Sequence, residues 1–82
     1  MEQTEINEII DVGAVFTKKL IKPKWFVWQK RKYLVSETTY TWDEDVGAAR
    51  IIHFSVTDGK PLFDISLNKK TLVWILEKTA VE

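Results

Sequence analysis

One histidine and a scatter of carboxylates are the first residues in this chain that could do chemistry. In the alternating run Arg50–Thr57, pairing across the Asp58-Gly59 turn sets His53 opposite Asp64, and a carboxylate beside an imidazole orients it and favours its charged form. Ser55 lies two residues along the same strand, but nothing orients it toward His53 and nothing supplies an oxyanion hole. With a single histidine and no cysteine, no metal-ligand set of the usual kind can be assembled. A surface cross-strand pair is the better reading, and no catalytic or metal site is assigned. Asp43-Glu44-Asp45 with Gly47 has the composition of a calcium loop without its spacing, so it reads as a solvated, glycine-terminated turn. The lysines before Thr71-Leu72 make no glycine-rich phosphate cradle. No cofactor is implied.

The remaining candidate is the stretch Lys24–Trp42, which holds three of the four tryptophans. It reads as two strands joined by a basic turn. Trp25 falls on the face opposite the core, bracketed by Lys22, Lys24, Lys30, Arg31 and Lys32, as a base-stacking platform flanked by phosphate contacts would be. Lysines at strand edges also serve to block edge-to-edge aggregation, and Trp25 could instead cover a barrel end. Two partners follow. One is single-stranded nucleic acid, or a protein bound to it, met by the basic hairpin 22–33. The other is a protein partner, a second copy included, met by an exposed strand edge and the patch Trp25, Val27 and Leu34.

The elements that must position these residues are short and alternating. Residues 4–11 are read two ways, as a short helix capped by Thr4 with Ile6, Ile9 and Ile10 as its stripe, or as a disordered lead-in. Ala14–Ile21 reads as a first strand, ended by Pro23. In the central hairpin, a turn at Lys30-Arg31 would set Trp28 by Tyr33 and Phe26 by Val35; a longer, bulged loop suits those residues better and moves the register by one. The strand after Tyr33 runs unusually long, through Trp42, and such strands bend to serve both halves of a sheet. Across Asp58-Gly59, Val56 meets Pro61, Phe54 meets Phe63 and Ile52 meets Ile65. A last turn at Asn68–Thr71 brings Ile65 beside Trp74 and Phe63 beside Leu76.

Three consecutive strands therefore agree on one apolar face. The expected architecture is all-β: a six-stranded antiparallel meander forming a small barrel or strongly bent sheet, in one domain spanning 1–82. Its expected core is Phe26, Trp28, Tyr33, Val35, Ile52, Phe54, Val56, Phe63, Ile65, Trp74 and Leu76.

Composition sets outer bounds. At 82 residues the chain buries about 60–65% of its unfolded surface, so a few large side chains carry the stability. The absence of cysteine suits a reducing compartment, and no apolar run approaches the roughly 20 residues of a membrane span. A cytoplasmic protein starting at Met1, with no membrane association, is the expectation. Formal charge is zero but segregated. Residues 2–11 are acidic, 18–32 hold seven basic residues and no acidic one, and 37–45 are acidic again. Such blocks can make a positive face without net charge.

From Lys24 to the C-terminus the sequence resembles a small bacterial domain of unknown function, met alone and appended to translesion polymerase-like proteins. The matching residues are Phe26, Trp28, Arg31, Tyr33, Val35, Trp42, Phe54, Val56, Asp58, Gly59, Phe63, Trp74 and Leu76. Lys30 stands where that family prefers glycine, and lysine outnumbers arginine here. The resemblance implies an all-β fold and a nucleic acid or repair partner nearby, and it transfers no site residues.

Overall fold

The structure, a computed structural model, describes residues 2–81, and all of its regular elements are strands. They are β1 (Glu2–Phe16), β2 (Ile21–Trp28), β3 (Arg31–Leu34), β4 (Glu37–Val46), β5 (Ala49–Thr57), β6 (Leu62–Asn68) and β7 (Trp74–Val81). All lie in one antiparallel sheet of order β3-β2-β1-β7-β6-β5-β4. Every neighbouring pair is consecutive in sequence except β1 and β7, where the last strand returns to the first.

The N-terminal expectation is corrected: residues 4–11 form neither helix nor loose lead-in but the body of β1. Ile6 and Ile10 lie against the core while Ile9 is 76% exposed, the two-residue alternation of a strand. A helix of two turns is marginal alone in water, whereas here the ladder to Trp74–Val81 satisfies the backbone. An irregularity between Glu5 and Glu8, with Asn7 at φ 54°, absorbs an extra residue in that ladder. Ala14–Ile21 likewise divides into the end of β1, a turn closed by the Thr17 hydroxyl, and the start of β2. Seven strands replace the expected six.

Of the two expected forms, barrel or bent sheet, the barrel is corrected, because β3 and β4 are the two edges of the sheet. Their residues belong to one long run that changes partner at Val35–Ser36. The Val35 N–H donates to the Lys24 carbonyl on the β2 side, and the Ser36 N–H donates to the Thr57 carbonyl on the β5 side, both at 2.9 Å. Before this point the run pairs with β2, after it with β5, and each part keeps one side unpaired.

Registers differ from expectation by steps that preserve the faces. The β2–β3 turn is Gln29-Lys30, with φ of 52° and 63°, so Phe26 pairs with Tyr33 and Trp28 with Arg31. Neither residue favours positive φ. The aromatic packing holds the turn there, with Phe26 stacked on Tyr33 at 5.0 Å and both rings edge-on to Phe63. The β5–β6 connection runs on to Pro61, which cannot donate to a ladder, so Val56 pairs with Phe63, Phe54 with Ile65 and Ile52 with Leu67. Gly59 within it has φ 131°, a region open only to glycine. In β7, Leu67 meets Trp74 and Ile65 meets Leu76.

The buried core is Ile10, Phe26, Phe54, Val56, Phe63, Ile65, Leu67, Trp74 and Leu76. Trp28, Tyr33, Val35 and Ile52 pack on its margin, half-buried.

Candidate functional site

Three surfaces hold the residues with chemical potential. On the outer face of β1–β2–β3, Gly13, Trp25 and Leu34 form one cross-strand row, flanked by Val27 with Lys32 and by Val15 with Lys22. The Trp25 indole lies on Gly13, in the space a Cβ there would take, and the Lys32 ammonium sits 4.8 Å from its ring centroid. The indole is thus engaged by Gly13 and by Lys32. Leu34 beside it is 66% exposed.

The six basic-aromatic candidates do not form one footprint. Lys22 and Lys32 share the outer face with Trp25. Lys24 is the extra residue of a β2 bulge between Pro23 and Trp25. Lys30 occupies the turn, and Arg31 points to the other side, its guanidinium 5.0 Å from the Tyr33 ring centroid.

The second surface surrounds His53. Its Nε2 lies 3.0 Å from Glu44 Oε1 and its Nδ1 3.4 Å from Asp64 Oδ1. The ring stacks parallel to Trp42, centroids 4.8 Å apart, and Tyr40 extends the stack. Burial pushes the Asp64 carboxyl above its usual range, partly offset by His53. Nearby, the buried Ser66 hydroxyl donates to Glu77 at 2.6 Å. With both ring nitrogens facing carboxylates and Ser55 paired to Asp64, the arrangement ties β4, β5 and β6 together. No metal-holding group of side chains exists among the described residues.

The acidic run expected to be a loop is part of β4 instead, a correction with a simple cause: each charge has a strand-compatible partner. Asp43 and Asp45 meet Arg50 at 3.6 and 3.3 Å, and Glu44 meets His53. The turn is delayed to Gly47, at φ 61°.

The third surface is a groove where the start of β2 and the strand β4 diverge. Two adjoining hollows of about 440 and 300 Å³ share Leu20, Ile21 and Thr41. Their apolar floor is made by Ile21, Val35, Ile52 and Phe54, and their rim carries Lys18, Lys19, Lys22, Lys24 and Lys69, against one carboxylate, Asp43. None of these five lysines makes an ion pair among the described residues. Lys18, Lys19 and Lys69 were not among the sequence candidates. The lysine block pointed toward the first two, but only topology brings Lys69 across from them.

Fold and surface together define a small antiparallel β protein with an open edge and a lysine-rimmed groove. Comparisons of the chain with protein-family models, with curated proteins and with solved structures each give no match.

Proposed function

We propose that this chain is a non-enzymatic binding module that captures an extended segment of a partner protein on its open strand edge. One observation carries the reading: β4 runs for 10 residues with no ladder partner on one side, beside a groove with an apolar floor. Unpaired main-chain donors and acceptors are a template for another backbone. The test is selection of random displayed peptides on the protein, followed by backbone amide mapping of the enriched sequences. The expected result is enrichment of β-forming peptides whose binding shifts the amides of Thr38–Asp43. Failure to enrich, or shifts confined to other strands, would overturn the reading.

Single-stranded nucleic acid is the second reading, favoured by Lys22 and Lys32 sharing the outer face with Trp25. Against it, the indole is already engaged by Gly13 and Lys32. Titration with fluorescent oligothymidine separates the two. Neutralising about four phosphates gives a log–log salt slope near −2.8, hence roughly 50-fold weaker binding from 50 to 200 mM salt. Saturating tryptophan quenching with that slope, lost in Trp25→Ala, would establish the second reading.

A further inference from the structure

We infer that the groove between the start of β2 and β4 is a docking slot for an acidic, extended peptide in which carboxylates alternate with apolar side chains. The inference rests on the binding-module reading and names the chemistry of the partner. The slot has two unpaired main-chain borders. The long run bonds to β2 only from Lys24 onward, so Ile21–Pro23 are free on the side facing the groove, as β4 is on the side away from β5. A strand laid on β4 would turn alternate side chains toward Ile21, Val35 and Ile52 and the others toward the rim.

Charge selects what those other side chains are. Five lysines that make no ion pair among the described residues line the groove with one carboxylate, and that carboxylate, Asp43, is already held by Arg50. Two of the other acidic residues of β4 are directed elsewhere, Glu44 to His53 and Asp45 to Arg50. A polyanion of nucleotides matches the lysines but not the rest of the slot. The only aromatic ring in the floor, Phe54, is 2% exposed and offers no face for a base, whereas the open backbone edge is complementary to another backbone.

The experiment is isothermal titration of the full chain at low salt with three probes: an alternating Glu/Val peptide, its Lys/Val counterpart and oligothymidine. The wild-type protein should bind the acidic peptide on the order of tenfold or more tightly than the basic one, from several solvent-exposed charge pairs acting together. Lys18→Glu with Lys22→Glu should reverse that order, while Lys60→Glu, the same charge change in the β5–β6 connection, should leave it intact. Circular dichroism and the thermal midpoint confirm that the variants are folded. Equal affinity for both peptides, or indifference to the double substitution, would overturn the acidic specificity while leaving the edge-binding module standing. Absence of any peptide binding, or displacement of the peptide by oligothymidine, would overturn both.

Discussion

Replacing Gly13 by alanine should destabilise the protein, and only because of Trp25. Gly13 does not have positive φ, so alanine fits its backbone, and a strand glycine replaced by alanine ordinarily gains about 0.5–1 kcal/mol. Here the added Cβ falls within the indole of Trp25, which must leave its seat on β1. Forcing a packed side chain aside costs about 1–3 kcal/mol. Loss of the Lys32 contact over the ring adds about 0.5–1 kcal/mol. The net expectation for Gly13→Ala is a loss of about 1–3 kcal/mol, or about 4–8 °C in thermal midpoint per kcal/mol. In a Trp25→Ala background the obstruction is gone, and the same substitution should be neutral or stabilising by about 0.5–1 kcal/mol. A double-mutant cycle by urea denaturation reads the coupling directly, expected at about 1–4 kcal/mol. An equal cost of Gly13→Ala in both backgrounds would show that the indole is not what occupies that space.

Truncating Trp74, 8% exposed and packed on Phe54, should cost about 3–5 kcal/mol by chemical denaturation. Trp28→Phe should stay within about 1 kcal/mol of wild type, because its buried Nε1 has no acceptor among the described residues and its removal relieves about what the lost area costs; a loss above about 2 kcal/mol would reveal a missed partner. Replacing Gln29-Lys30 by Asn-Gly should raise stability by about 1–2 kcal/mol, since both positions have positive φ, and an unchanged urea midpoint would place the turn elsewhere. Asp64 has a raised folded-state pKa, so its stabilising contribution is full below the unfolded value near 3.8 and is lost as pH rises through the folded value. Asp64→Asn should therefore become progressively more favourable relative to wild type as pH rises from below the unfolded value through the raised folded value; a flat or opposite difference in denaturation midpoints would refute the burial of that charge.

The faces of the sheet were legible because alternation survives register slips of an even number of residues. Phe54 meets Ile65 rather than Phe63, yet both lie on the core side, so the expected core of β5, β6 and β7 is found buried except for Ile52, which packs half-buried on its margin. The exact partners were not legible, because they depend on how far Pro61 and the two positive-φ residues of the β2–β3 turn extend their connections. The N-terminal strand was ambiguous for another reason. Ile6, Ile9 and Ile10 make a helical stripe, while Ile6 and Ile10 without Ile9 fit one face of a strand, and only the distant β7 decides between them. Asp43–Asp45 looked like a loop because local charge density hides cross-strand partners such as Arg50 and His53. The groove was invisible in sequence, since Lys69 and Lys18 become neighbours only through the fold.

Charges on β4 explain why an edge this long can be left open. If two copies paired antiparallel along β4 about Thr41, Glu37 would face Asp45 of the other copy, a like-charge pair directly opposite, and Thr39 would face Asp43. Like charges so placed destabilise a ladder, and charged edge strands are a general guard against edge-to-edge pairing. The same run therefore disfavours pairing with its own copy, while the groove beside it is lined by lysines of β2 and of the β1–β2 and β6–β7 turns. Had β3 and β4 been one straight strand closing a barrel, neither the open edge nor the groove would exist. The partner switch at Val35–Ser36 leaves each half of the run with an unpaired side, and the apolar floor below it becomes reachable. The open edge is thus a consequence of where the long run changes partner, and its guard against a second copy is a consequence of which charges it carries beyond that point.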